Sequence, residues 1–535
     1  MRLSKFLQGA GLALCALTMV AATPARAEWK RAESPRFIVY SRGDEGALRR
    51  YVRALELYDY ILRYRVGLPL DTVPGRKLPI YLVSNRGGLV SINPATGPNV
   101  AGTYFPAGED IFAAAINDRE MDYLLHEYFH HFSFQLSSTA NYPGWLIEGL
   151  AEYFMTAEIT DDSVRIGMSN NNRAEWLMNA TWLPLEDLLS KRPGQIAGDS
   201  DKATYYPVAW LLTHWFMGDE ARRAQLQTYI VQVQAGADPV ATIEAVTGMT
   251  LPALRQELRR YMRGQVPIFH YDVNLPAPEI VVTSLPRSAD DLLLVGQRLK
   301  VGVKAEDRPE TAALVRRLAA RHPDDSFARL QLGHAELHFG DPEAGEAILN
   351  SLLEIEPENV EALQLMATRY MKLAEDRPAE SVALLQQGRG YLARAYRADE
   401  NNYYTLQLLA QTRTGAPDYP NENDLLTWFK SHELAPQLSS VRLGYARALM
   451  QAKEFPEAIT LLGPLANSPH GGSASEAAQS LILLARAGRP PLNADELEAA
   501  AGTGAPPTGP EPASPAPDPA AEPEAAPGAA ATPTR

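Results

Sequence analysis

Residues 123–154 read YLLHEYFHHFSFQLSSTANYPGWLIEGLAEYF. His126 and His130 stand four residues apart in an H-E-x-x-H pattern. On a helix that is about one turn, so both imidazoles share a face and can reach one ion. The run Ser137–Gly144 reads as a loop. A second helix then opens at Trp145 and carries Glu148 and Glu152, again one turn apart. A carboxylate from this second helix can supply a third ligand. The fourth position is then open to water, as a catalytic zinc site requires.

Glu127 follows His126 by one residue, so it points about 100° away from it around the helix, toward the water. There it can take a proton from the water and pass it to a leaving amine. The ion lowers the pKa of that water and polarises the scissile carbonyl. By spacing alone, either Glu148 or Glu152 can reach the metal. His131 points in the wrong direction for the same ion and is expected to be a structural neighbour.

The chain has 535 residues, which implies two or three domains. Its hydrophobic fraction of 46% and charged fraction of 21% are those of a soluble globular protein. The net charge is −14, and it falls to −17 if the first 27 residues, with Arg2, Lys5 and Arg26, are removed. That balance argues against nucleic acid as the main partner and against a polybasic membrane-binding surface.

Residues 1–27 read as a secretory signal: Arg2 and Lys5, an apolar core from Leu12 to Val20, and Ala25-Arg26-Ala27 as a small-x-small cleavage site. The mature chain is expected to begin at Glu28 and to have no membrane span. The sole cysteine, Cys15, lies inside the signal. Bulky Leu14 before it weakens a lipoprotein reading. Export, together with the envelope setting of the similar bacterial proteins named below, makes the periplasm the expected location, with the extracellular space as the alternative.

Upstream of the metal helix, short strands are expected at 37–40, 78–83, 100–105 and 110–116, with a helix at 45–66 carrying Leu48, Val52, Leu55, Tyr58 and Leu62 at helical spacing. The stretch 87–98 is turn-rich. The metal helix is expected over 118–136, capped by Asn117 or Asp118 with Glu120 and Asp122 at its positive end. The second helix is expected over 145–159. Helices are expected over 204–217, 220–234 and 250–264, typical of the lobe that closes a catalytic domain of this kind, expected here over 28–270. The first of them opens near Pro207.

Residues 271–287 are extended and proline-rich and read as a linker, with Val281-Val282 as the one β-like pair. From 288 to 490 the pattern changes to paired helices with a period near 34. The spacing resembles tetratricopeptide repeats, whose units stack because one helix pair cannot bury its own apolar face. No clustered titratable residues are expected on these helices. Their expected role is to bind a protein or peptide. Docking on the catalytic domain is the plainer alternative. Residues 502–535 hold ten prolines and no aromatic residue, and are expected to be a disordered tail.

The pairing of His126-Glu127-x-x-His130 with Trp145-Leu-Ile-Glu148-Gly-Leu-Ala-Glu152-Tyr resembles the gluzincin, or peptidase-MA-like, clan of zinc metallopeptidases. Exported bacterial members of uncharacterised substrate are the nearest in pattern. The resemblance covers roughly residues 36–268 and implies an α+β zincin-like domain. It implies one zinc held by His126, His130 and Glu148, with Glu127 as general base. Glu152 would then take a hydrogen bond from the non-ligating nitrogen of a ligand histidine. Clan relatives carry a tyrosine or histidine oxyanion donor downstream, which makes Tyr206 the candidate here, with Tyr205 second. His214 is expected to be buried in the lobe. Seventeen residues separate His130 from Glu148, one fewer than in the aminopeptidase-N type. The Gly-x-Met-Glu-Asn motif of that type is absent, so aminopeptidase activity is not implied. The expectation is an exported peptidase acting on a peptide or protein. The competing expectation is a non-catalytic envelope adaptor that works through its repeats.

Overall fold

The computed structural model of the chain describes residues 29–491 apart from 99, 118–120, 137–141, 274–276 and 469–470. The expected signal with Cys15, the start at Glu28, the tail 502–535, the helix-capping positions Asp118 and Glu120, and most of the loop 137–144 lie outside the described residues.

The chain is mixed α/β, with a small sheet and a mostly helical remainder. It opens with β1 (Trp29–Glu33), β2 (Phe37–Arg42), α1 (Glu45–Val66), β3 (Leu78–Val83), α2 (Arg86–Ile92), β4 (Gly102–Pro106) and β5 (Ile111–Ile116). The periodicity of α1 predicts both of its ends. The Asp44 side chain accepts from the Ala47 N–H at the start, and Gly67, at φ 73°, closes the other end. The turn-rich stretch near 87 instead forms the short helix α2.

Next come α3 (Asp122–Leu136), α4 (Gly144–Met155), β6 (Glu158–Ile159), β7 (Ser163–Ile166), α5 (Asn171–Asn179), α6 (Leu185–Ser190) and α7 (Asp199–Met217). They are followed by α8 (Glu220–Gln234), α9 (Pro239–Thr247), α10 (Leu251–Met262), β8 (Phe269–Asp272) and β9 (Val281–Ser284). α4 stops before the expected end at 159 because the chain turns into β6, which pairs with β7. α7 starts five residues before the expected 204, so Pro207 falls inside it and Tyr206 does not open it. An interior proline costs about 3 kcal/mol. Burial of every residue from Thr204 to Phe216 offsets that cost.

The main sheet has the order β4-β5-β3-β2-β1-β9. β2, β3 and β5 run parallel, and the outer pairings are antiparallel. Every residue of β3 is buried, because both faces of the sheet are covered. Leu78, Ile80 and Leu82 pack with α1 and α3 through Leu55, Leu62, Leu125 and Phe132. Tyr81 and Val83 face the other way, onto Leu89 and Ile92 of α2.

The expected linker is a correction. β8 extends a second sheet, in the order β6-β7-β8, and β9 pairs with β1 as an edge of the main sheet. The prolines around Val281 hide a strand that needs only one hydrogen-bonding partner.

The helical remainder comprises α11 (Ala289–Val301), α12 (Arg308–Ala319), α13 (Ser326–Phe339), α14 (Pro342–Ile355), α15 (Val360–Asp376), α16 (Ser381–Ala398), α17 (Tyr403–Gln411), α18 (Glu422–Leu434), α19 (Ser439–Gln451), α20 (Phe455–Ala466) and α21 (Ser473–Arg486). The first helices of successive pairs start at 326, 360, 403 and 439. The intervals are therefore 34, 43 and 36 residues, so the expected period holds once and then loosens.

α11 belongs as much to the sheet as to the helical region. Ala289 and Leu293 sit in the Tyr81–Val83 cluster, and Gln297 donates to the Tyr81 hydroxyl at 2.6 Å. The helices also dock back on the first domain. The Tyr403 hydroxyl donates to Gly108 O at 3.1 Å, and Arg192 donates to Ala466 O at 2.6 Å. Trp428, Leu438 and Val441 join the same apolar cluster as the sheet. Among the described residues no helix is long and apolar enough to cross a membrane.

Candidate metal centre

α3 is fixed before it presents any ligand. The Tyr58 hydroxyl of α1 donates to Leu125 O at 3.2 Å, and the Tyr128 hydroxyl donates to the buried Asp59 at 2.6 Å. Arg36 and Arg63 neutralise Asp59 from the other side, at 2.7 and 2.6 Å. α4 packs against α3 with the Phe129 and Phe154 rings stacked 5.5 Å apart.

α4 in turn lies against α7 at Gly149. A Cβ there would meet Ala209 O at 2.6 Å and overlap the Thr213 hydroxyl. Glu148 therefore comes from a helix wedged between α3 and α7. The glycine that follows it is required by close approach.

Three ligand atoms converge on one point. His126 Nε2 and His130 Nε2 are 3.1 Å apart. Glu148 Oε2 lies 3.6 Å from the first and 3.5 Å from the second. A tetrahedral zinc with bonds near 2.0–2.1 Å has ligand–ligand edges of about 3.3–3.4 Å. The triangle matches one face of that tetrahedron, so this donor set fits zinc. Glu148 is fully buried, whereas the two imidazoles keep about one seventh of their surface exposed. The centre is thus anchored on its α4 side and reachable on its α3 side.

Glu152, also buried, places Oε1 3.5 Å from His126 Nδ1. Arg173 grips the same carboxylate with two hydrogen bonds, Nε to Oε2 at 2.8 Å and Nη2 to Oε1 at 2.9 Å. Sequence reasoning missed Arg173, which lies on the short helix α5 and belongs to no motif. The nearby Trp176 and Trp182 offered no hint of it.

Burial pulls His130 toward its neutral form. Glu148, Glu127 and Glu152 together outweigh that pull, so its pKa is raised. Glu127 is half-buried on α3 between the two histidines.

The two tyrosines separate. The Tyr205 hydroxyl is held by Lys191 O at 3.3 Å. The Tyr206 ring lies under the Arg173 guanidinium, 5.5 Å from its centroid. Burial, then Glu148 and Glu152, push the Tyr206 hydroxyl well above the usual phenol range, so it stays protonated and can donate.

His131 faces the opposite side, with Nδ1 2.9 Å from the Tyr104 hydroxyl, and burial lowers its pKa to about 3. His214 is buried in the lobe. Its Nε2 meets Gly167 O at 2.8 Å, so that nitrogen donates. Its Nδ1 meets the Tyr261 hydroxyl at 2.9 Å.

The helical region corrects one expectation. His334 and His338, one turn apart on α13, gather with Glu109 from the β4–β5 turn, and their ligand atoms lie within 4.8 Å of one another. No protein-family model matches the chain, and no curated protein matches its sequence.

Proposed function

We propose that the chain is an exported, zinc-dependent metallopeptidase of the gluzincin type. The single observation that carries this reading is the triangle formed by His126 Nε2, His130 Nε2 and Glu148 Oε2. A structural zinc normally takes four protein ligands, whereas this set offers three and is partly open on the α3 side.

His126, His130 and Glu148 hold the zinc. Bound there, the ion supplies Lewis acidity toward a peptide carbonyl and lowers the pKa of water. Glu127 takes the proton from water and hands it to the leaving amine. Tyr206, protonated and close to the Glu148–Glu152 side, donates to the developing oxyanion. Glu152 fixes the His126 tautomer by accepting from Nδ1–H, so that Nε2 keeps its lone pair for the metal, and Arg173 holds Glu152 in place.

β4 is an edge strand beside α3, and an extended peptide can add to it as a further strand. The helix pairs from α13 onward resemble tetratricopeptide repeats and serve to receive a protein substrate or partner. Because they dock on the first domain, they hold that partner at a set distance from the metal. The N-terminal pattern of charge, apolar core and cleavage site supports export, and the envelope setting of similar exported proteins favours the periplasm over the extracellular space.

A peptide-library cleavage assay on the mature chain tests this reading. Cleavage by the parent and none by Glu127→Gln, with zinc retained in both, supports it. Bound zinc with no cleavage of any peptide, together with partner capture by the helical region, favours the adaptor.

A further inference from the structure

We propose that Glu109, His334 and His338 form a second transition-metal site, which ties the helical region to the sheet domain. Two imidazoles one turn apart, plus a carboxylate from a distant element, make a donor set suited to zinc and too nitrogen-rich for magnesium or calcium. The three ligand atoms lie within 4.8 Å of one another. Glu109 Oε2 is 3.4 Å from His334 Nε2.

His334 is an independent pointer. It is fully buried, and neither of its ring nitrogens has a hydrogen-bond partner. A buried ring nitrogen that has given up water and found no partner is an uncompensated cost to the fold. A cation between it and Glu109 would satisfy His334 Nε2 and the Glu109 carboxylate at once. His338 completes the set from the next turn of α13, with Nε2 3.5 Å from the Thr368 hydroxyl. The two imidazole rings are edge-on, with centroids 5.3 Å apart.

The surroundings can hold the added charge. Beside Glu109 lies a cavity of about 220 Å³, also lined by Asp110, Glu361, Lys300 and Arg76. Arg76 pairs with Asp110, and Lys300 with Glu361 at 2.9 Å. Glu109 has no basic partner of its own among the described ion pairs, apart from His334. The cavity borders the proposed site through Glu109, and the two histidines lie behind it, outside its lining.

The ligands come from the β4–β5 turn and from α13, which are far apart in the chain. Metal at this point would therefore stiffen the junction between the sheet and the helix pairs. It would not take part in catalysis at the first centre.

The test uses the mature full-length chain, equilibrated with zinc alone and then desalted. Zinc is counted by mass spectrometry, and folding is checked by circular dichroism. The parent should carry two zinc ions per chain. His126→Ala/His130→Ala, which disables the first centre, should carry one. Adding either Glu109→Gln or His338→Gln to that background should bring it to none, with the helical signal kept. Chelation should lower the melting temperature of the His126→Ala/His130→Ala chain and leave that of the triple variants unmoved. A His126→Ala/His130→Ala chain that holds no zinc overturns the proposal. So does zinc that persists in both triple variants.

Discussion

The Glu152 carboxylate stands 3.5 Å from Nδ1 of His126, on the far side of that ring from His130 and Glu148. Its other contacts go to Arg173, which lies outside both metal helices. The His126 ring is thus linked, through Glu152, to a residue on α5. Glu152→Gln should keep the fold and weaken zinc binding by about 10–100-fold. Competition with a chromophoric chelator measures it. Unchanged affinity would show that the His126 ring is held by packing alone.

Tyr206 and Tyr205 are adjacent, yet their hydroxyls have different surroundings. Tyr206→Phe should lower kcat by about 10²–10³-fold with zinc content unchanged. Tyr205→Phe should leave kcat close to that of the parent. Steady-state kinetics on a peptide found by library cleavage decides between them. Equal loss in both variants would place the donor elsewhere.

Gly149 sits where α4 touches α7. Gly149→Ala forces the two helices apart and should cost about 1–3 kcal/mol of stability. Since Glu148 precedes it, zinc affinity should fall in parallel. Urea unfolding with and without excess zinc measures both effects.

His432 on α18 is buried and close to Arg442, and burial first, then that guanidinium, lower its pKa to about 3. In the unfolded chain it titrates near 6.5. The folded state therefore holds it neutral where the unfolded state binds a proton. The stability tied to its neutral form is complete above pH 6.5 and is lost as the pH falls from there toward about 3. One such group contributes a slope of at most about 1.4 kcal/mol per pH unit. His432→Phe should flatten the pH–stability curve in that window, as denaturant midpoints at pH 7, 6, 5 and 4 will show.

The parts of the fold that could be read in advance are those set by local periodicity. α1 and β3 have the expected bounds because each carries its own apolar spacing, and α8 has them through its end signal, the Asp219 cap that accepts from the Arg222 N–H. β9 was hidden, since pairing with β1 is a long-range event and the local residues read as proline-rich coil. The extra turn at the start of α7 was missed because Pro207 looks like an opening and not an interior position.

In the candidate site, the spacing of His126, His130 and Glu148 was visible, because two short helical repeats carry it. Arg173 was not, because a single arginine announces nothing until Glu152 lies beside it. The same holds for α13. His334 and His338 are a visible i, i+4 pair, but Glu109 reaches them only through the way the sheet and helices dock.

The most direct measurement is diffraction from crystals of the mature chain at the zinc absorption edge. The account predicts an anomalous peak about 2.0–2.2 Å from His126 Nε2, His130 Nε2 and a Glu148 oxygen, with solvent as the fourth neighbour. No peak at that point, or a peak closed off by a fourth protein ligand, would contradict it.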